Sequence, residues 1–336
     1  MDRWNDVSDV PEGFGPSVVT IGNFDGVHLG HRNVLAHLVA TARARQVAAV
    51  AITFDPHPLA VLYPDRAPEP LTGLDHRLEL MASAGLDAVL VMEFTQELAS
   101  WSPERFVADV LVERLGASAV VVGHDIRFGH RNSGDLQTMR ELGEKHQFDV
   151  ELLDDVTGPM GDDASAGAQS RRWSSSWARE LITAGEVGHA IAVLGRPHRV
   201  VGEVVHGDHR GRELGYPTAN LEPHSVGMVP ADGVYAGWML RLDMPGDADD
   251  PQLDQRLLPA AISIGTNPTF DGTTRRVEAY ALDRTDLDLY GERVALEFVS
   301  RLRETLKFDG VDELVQQMAR DVEQCRDVLE VAAPAP

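Results

Sequence analysis

The chain has 336 residues, 43% of them hydrophobic, which suffices for about two domains with a core each. Its 30 basic and 53 acidic residues give a formal net charge of -23, which repels nucleic acid and anionic lipid; the one basic cluster, Arg171–Arg172 with Arg179, is too short to reverse that. A single cysteine, Cys325, excludes an internal disulfide or a thiolate metal cluster within one chain, and no apolar run approaches the length of a membrane span. The polar, acidic start lacks a signal segment, so the expectation is a cytoplasmic protein acting on small molecules, with no nucleic-acid or membrane partner and nothing that indicates a homo-oligomer.

In the first half, apolar runs at Val18–Ile21, Val47–Phe54, Ala88–Phe94, Ala119–Gly123 and Phe148–Leu153 read as strands. Helical stretches at about 32–45, 74–84, 103–115 and 135–146 separate them, the last but one opened by Ser102 as cap and Pro103 at the first helical position. This alternation predicts a doubly wound parallel sheet, with ligands at the carboxyl ends of its strands. The polar segments follow strand ends: GNFDGVHLGH (residues 22–31), DPHP (55–58) and GHDIRFGHRNSGD (123–135). Their common placement argues for one site.

Within the first segment, Gly22, Gly26 and Gly30 let backbone approach a ligand, while Asn23, Phe24 and Asp25 lie between them. Unpaired N–H groups at the start of the following helix favour an anion, and His28 and His31 share its first turn. A lone histidine pair of this spacing is more often structural than chemical. Asp125 and Arg127 are the strand-end candidates of the third segment, although Arg127 also suits a surface ion pair.

Residues 155–172 carry no periodicity and read as a mobile surface loop. Ser174, Ser175 and Ser176 then stand where they either cap a helix ending before Gly185 or meet an anion, and a second short helix runs to Leu194. The domain boundary falls near 184–196, giving halves 1–185 and 186–336. Beyond it, short runs at Val200–Val205, Val234–Leu240, Ala260–Ile264, Val277–Leu282 and Val294–Val299 are split by turns, and 311–329 returns to a helical period. They predict a small antiparallel barrel closed by a C-terminal helix, with 243–255 as a solvated excursion.

The segment GDHRGRELGYPTAN (207–220) gives the barrel its own chemistry. Gly211 and Arg212 can flex over a polyphosphate. Thr218 and Asn220 share a face if extended, and their neutral oxygens suit Mg2+ that takes its remaining ligands from nucleotide phosphates and water. Glu278, inside an apolar strand, is either a paired edge residue or a general base. No Walker-type GxxxxGK[ST] sequence occurs, which excludes a P-loop kinase.

GNFDGVHLGH resembles the HxGH signature of the nucleotidyltransferase superfamily. Together with GHDIRFG, PTAN and the downstream glutamate, in that order over nearly the whole chain, it resembles the bacterial bifunctional riboflavin kinase/FMN adenylyltransferase family, also called FAD synthetases. The resemblance implies that the barrel moves the γ-phosphate of ATP to riboflavin, with Thr218 and Asn220 as metal and phosphate ligands and Glu278 as base. It implies that the first domain transfers AMP from ATP to FMN, giving FAD and pyrophosphate, with His28 and His31 at the phosphates. Asp125, Arg127, Ser176 and Arg179 match binding positions. The family's serine loop reads close to SSTxIR, whereas this chain has SSSWAR, so Trp177 and Ala178 alter packing beside that site. Two rivals are a riboflavin kinase with a relic or differently specific transferase domain, and a non-enzymatic flavin-binding protein.

Overall fold

Strands buried on both faces read as continuous apolar runs, and the first half of the chain supplies a series of them. The computed structural model describes residues 1–159, 170–207, 214–244, 253–266 and 275–331. Short β1 (Asp2–Trp4) precedes β2 (Ser17–Ile21), β3 (Ala48–Asp55), β4 (Ala88–Glu93), β5 (Ala117–Gly123) and β6 (Asp149–Leu153). They form one parallel sheet in the order β1-β4-β3-β2-β5-β6. Neighbouring residues feed opposite cores: Val19, Val50 and Val120 pack with Leu111 and Met139, while Val18, Ala49 and Val121 pack with Leu35, Leu38 and Met81. This is a doubly wound sheet. Because β3 lies on one side of β2 and β5 on the other, the strand order reverses at β2, which opens a crevice beyond its carboxyl end.

The expected helices appear at Leu29–Arg45, Leu74–Ala82 and Leu136–His146. The stretch 103–115 is an α-helical turn, Pro103–Phe106, that widens into the π-helix Val107–Arg114; Ser102 Oγ caps it by accepting the Arg105 N–H at 3.2 Å. Strand β1 is too short for periodicity to reveal and pairs with β4 at the sheet edge. The reading of 155–172 as a loop needs correction at its described ends. There β7 (Thr157–Pro159) pairs antiparallel with β8 (Ser170–Arg172), a ladder made by residues too far apart for a local pattern to show; 160–169 lie outside the described residues.

In the second half, helices Ser175–Ala184 and Val187–Leu194 lead into a closed barrel. Its strands are β9 (His198–Val205), β10 (Ala219–Leu221), β11 (Gly233–Arg241), β12 (Leu257–Thr266), β13 (Arg275–Ala281) and β14 (Arg293–Arg303), in the order β10-β13-β12-β11-β14-β9 with every pair antiparallel. Val200, Tyr235, Met239, Ile262 and Phe298 fill the interior. Helix Val311–Val331 covers part of the outside, seating Val322, Cys325 and Leu329 against Ala236, Leu282 and Val299. Arg303 clamps it through Asp321 at 2.7 Å, and burial pushes the Cys325 thiol up to about 12, so it stays protonated. Of the 243–255 excursion, the described part includes a short helix, Leu253–Arg256.

The compact units are Met1–Glu69 with Gly73–Ser174, and Pro70–Thr72 with Ser175–Pro336. The division thus falls between Ser174 and Ser175, ahead of the 185/186 boundary expected from sequence. Helix Ser175–Ala184 counts with the barrel because buried Ile182 accepts the Ala231 N–H through its carbonyl at 3.3 Å, and Gly185 turns (φ 78°) where a Cβ would lie 2.9 Å from Tyr235 Oη.

Candidate active sites

The turn after β2 is tightly wound. Phe24 and Val27, both buried, adopt positive φ of 49° and 37°, which for β-branched Val27 is a strained conformation of the kind found where backbone serves a ligand. Gly26 takes φ 79° beside them without that penalty. Buried Arg77 braces the turn, donating to Asn23 O at 3.0 Å and lying 3.4 Å from Asp55, while Thr53 Oγ1 donates to the same carbonyl at 3.1 Å.

The turn delivers His28 to the cap of helix Leu29–Arg45, where its Nδ1 accepts the His31 N–H at 3.3 Å. That bond puts the ring proton of a neutral His28 on Nε2. The two imidazoles stack at 3.7 Å, and Phe24 meets His31 edge-on at 5.2 Å. Gly30 makes room for the stack, since a Cβ there would lie 3.0 Å from His28 Cε1. Burial, His28 and Arg172 hold His31 well below the usual histidine range, and its Nδ1 is a buried nitrogen without a hydrogen-bond partner among the described residues. A neutral His31 is therefore aligned beside a helix N-terminus.

These groups border a cavity of about 1130 Å³ at the carboxyl ends of the strands, above the range of a typical single-ligand pocket and so roomy enough for two substrates. Gly22, Asn23, Phe24, His28 and His31 line it, as do Asp125, Arg127 and Ser174. Asp25 and Gly26 do not; Asp25 is buried and its charge favours the Arg77 cation, so it supports the turn rather than lining the cavity. Arg127 donates to Ile126 O at 3.0 Å. Ser175, Ser176 and Arg179 belong to the barrel unit, on the helix starting at Ser175, where Trp177 and Ala178 of the SSSWAR variation are both buried.

Arg172 is a cavity residue that motif reading missed. It pairs with Asp125 at 2.9 Å and Asp155 at 3.1 Å and acts on His31 through its charge. Its signal was its position just before the serine run, obscured by the loop assignment. Trp173, another lining residue, packs its indole against Gly158, where no Cβ would fit.

On the barrel, register assembles the second site. Ala219 and Ala279 pair and face the interior, so the next pair, Asn220 opposite Glu278, faces outward, and Glu278 also stands opposite Ser263 of β12. Strand β13 has neighbours on both sides, so Glu278 is not at a sheet edge. Asn220 Nδ2 donates to Thr218 O at 3.3 Å, and Gly207 lies so near that a Cβ would sit 2.5 Å from the Asn220 amide. Gly211 and Arg212 lie outside the described residues.

Family models match in the same order, FAD synthetase over residues 11–165 and riboflavin kinase over 194–329. The chain is 34% identical to the bifunctional riboflavin kinase/FMN adenylyltransferase of Escherichia coli (strain K12), covering 95% of this chain and 94% of that one. It is 33% identical to that of Listeria monocytogenes, covering 97% and 94%. A crystal structure titled as a macrolide-efflux protein from Streptococcus pneumoniae matches with TM-score 0.79 and 29% identity over 96% of this chain and 98% of that one. No helix among the described residues is long and apolar enough to cross a membrane. By these matches, on a doubly wound sheet followed by a closed barrel, the chain belongs to the bifunctional riboflavin kinase/FMN adenylyltransferase family.

Proposed function

We propose that the two constellations divide the family's two activities, ATP-dependent phosphorylation of riboflavin to FMN and adenylylation of FMN to FAD. The observation that carries the division is the contrast in chemistry: stacked, capped histidines beside a large cavity in one unit, and a carboxylate opposite an amide on the outward side of paired barrel strands in the other.

In the adenylyl cavity the FMN phosphate is already an anion and needs no base. An oxygen of that phosphate attacks the α-phosphorus of ATP, the bond to the bridging oxygen breaks, and pyrophosphate leaves. His28, through Nε2–H, and His31 donate to phosphate oxygens as charge moves onto the leaving group. Arg172 and Arg127 offset the charge of two anionic substrates, and the N-terminus of helix Leu29–Arg45 adds its dipole. Ser174, in the lining of the cavity, is assigned to the same nucleotide. The residues present favour alignment over proton transfer.

On the barrel, Glu278 accepts the proton of the ribityl hydroxyl as that oxygen attacks the γ-phosphorus and ADP departs. Thr218 and Asn220 offer neutral oxygens, and among the described residues no group of three or more His, Cys, Asp or Glu could hold a metal. That donor set fits Mg2+ completed by substrate phosphates, and the ion would supply charge neutralisation there. Gly211 and Arg212 are assigned to the polyphosphate. We place the enzyme in the cytoplasm, acting on small molecules without a nucleic-acid or membrane partner, which its -23 charge and single, buried cysteine support. Incubation with riboflavin, ATP and Mg2+, followed by separation of FMN from FAD, tests the assignment: formation of both products supports it, FMN alone returns the kinase-only rival, and neither leaves a flavin-binding protein.

A further inference from the structure

Neither reaction accounts for the histidine of DPHP (55–58), although His57 lines the adenylyl cavity and lies against Asn23 of the turn after β2. Two of its contacts decide where the ring carries its proton. Nδ1 accepts the Leu59 N–H at 3.1 Å, the bond that caps helix Pro58–Leu62. A backbone N–H only donates, so Nδ1 bears no proton and the ring is a neutral imidazole protonated at Nε2.

Nε2 in turn faces one arm of the Asn23 side-chain amide at 3.2 Å. The two arms of an amide have the same shape and opposite hydrogen-bonding roles. Nδ2 in that place would set donor against donor, so the hydrogen-bond network puts Oδ1 there and turns Nδ2 away from His57. The Asn23 backbone is fixed as well, its carbonyl accepting from Arg77 Nη1 at 3.0 Å and Thr53 Oγ1 at 3.1 Å, while the preceding Gly22 N–H donates to Ile52 O at 3.0 Å. Among the described residues, the Asn23 amide bonds only to His57. Its two Nδ2 hydrogens are thus left for a ligand.

Asn23 shares its turn with His28, and both line the cavity. A neutral amide held in this turn can donate to a phosphate oxygen, whereas a carboxylate in its place would satisfy His57 equally and repel the substrate. We propose that His57 is a positioning residue for adenylyl transfer: by holding Asn23 Oδ1 it aims the Nδ2 donors at a phosphate oxygen of the bound nucleotide. The proposal rests on the reading of this cavity as the adenylyl site.

Two full-length variants separate aiming from capping. His57→Asn carries an oxygen that can reach the place of Nδ1 and keep the helix cap, but no donor at the place of Nε2; His57→Gln is long enough to restore that donor and forfeits the cap. In FMN-to-FAD conversion, kcat falls about tenfold in His57→Asn with KM for FMN and ATP within about twofold of wild type, whereas His57→Gln recovers to within about threefold. Asn23→Ala lowers kcat about 100-fold, and adding His57→Asn to it costs nothing further, because His57 acts through Asn23. An unchanged kcat in His57→Asn overturns the proposal, as does the reverse order, Asn active and Gln impaired, which marks His57 as a helix cap alone. A raised KM for FMN at unchanged kcat also overturns it, since His57 would then touch the flavin itself. Two controls keep the levels apart: His28→Ala transferring AMP at the wild-type rate sinks the site reading, while 15N spectra of the His57 ring judge the bond to Asn23 without any assay. Those spectra should show the Nε2-protonated tautomer, and a proton on Nδ1 would contradict the bond.

Discussion

The two units solve the problem of placing chemistry in different ways. In the first, one ten-residue turn bends through positive φ at Phe24, Gly26 and Val27, so that His28 and His31 reach the mouth of a cavity at the end of a parallel sheet. In the barrel, short strands carry the groups, and Asn220 meets Glu278 because β10 and β13 pair in one register. The first site depends on local backbone strain and the second on long-range alignment. The comparison teaches that the two reactions fail in different ways when single residues change.

The largest effect is expected at the barrel. Glu278→Gln is nearly isosteric but cannot accept the hydroxyl proton, so riboflavin phosphorylation falls by about 100- to 10,000-fold while FMN-to-FAD conversion stays near wild type. Kinase turnover within a few-fold of wild type would remove Glu278 as base. Next come His28→Ala and His31→Ala, each expected to cost adenylyl transfer about 100- to 1000-fold and to leave riboflavin phosphorylation unchanged. Stopped accumulation at FMN is the signature to look for by chromatography.

A smaller effect sharpens the role of the histidine stack. Gly30→Ala puts a methyl 3.0 Å from the His28 ring, and a displacement of tenths of an ångström at a phosphate-aligning group should cost about tenfold in adenylyl transfer without touching the kinase. If the rate is unchanged, the stack tolerates movement and alignment is not what limits the reaction.

How much of this was legible in the sequence follows the same division. Strand and helix positions in the first unit were readable because β2 to β6 are apolar runs separated by periodic helices, and GNFDGVHLGH is contiguous. Arg172 was not, because its value comes from pairing with Asp125 and Asp155 across the fold. Asp25 was assigned to phosphate from its place in the motif, which carries no sign that it is buried with its charge acting on Arg77. On the barrel, Glu278 left an edge and a base reading open, since chain spacing does not reveal that β13 is flanked on both sides. The 185/186 boundary rests on the change of texture after Gly195 and lies eleven residues beyond the division between Ser174 and Ser175, because the packing of the intervening helix with the barrel through Ile182 leaves no trace in a local pattern.

That packing separates two fragments. A fragment from Ser175 should fold and make FMN but not FAD, whereas one from Glu186 loses buried Ile182 and should melt at a lower temperature. Equal thermal midpoints would restore the later boundary. The smallest expected effect concerns pH. His31 is held well below 6.5 in the folded chain, so the unfolded chain binds more protons below that value, and stability should decline as pH falls from 6.5 towards the folded value, with no contribution above it. Denaturant midpoints at pH 7.5 and 5.5 for wild type and His31→Gln check this, the variant losing less.

The central claim is that two independent sites share a released intermediate, and it is tested most directly by mixing two disabled proteins. Glu278→Gln alone and His28→Ala alone, each supplied with riboflavin, ATP and Mg2+, should yield essentially no FAD. Combined in one vessel they should yield FAD, because FMN made by the His28→Ala barrel reaches the intact adenylyl cavity of the Glu278→Gln protein. Rapid FAD formation by either variant alone, or none from the mixture while FMN accumulates, would contradict the assignment of the two sites.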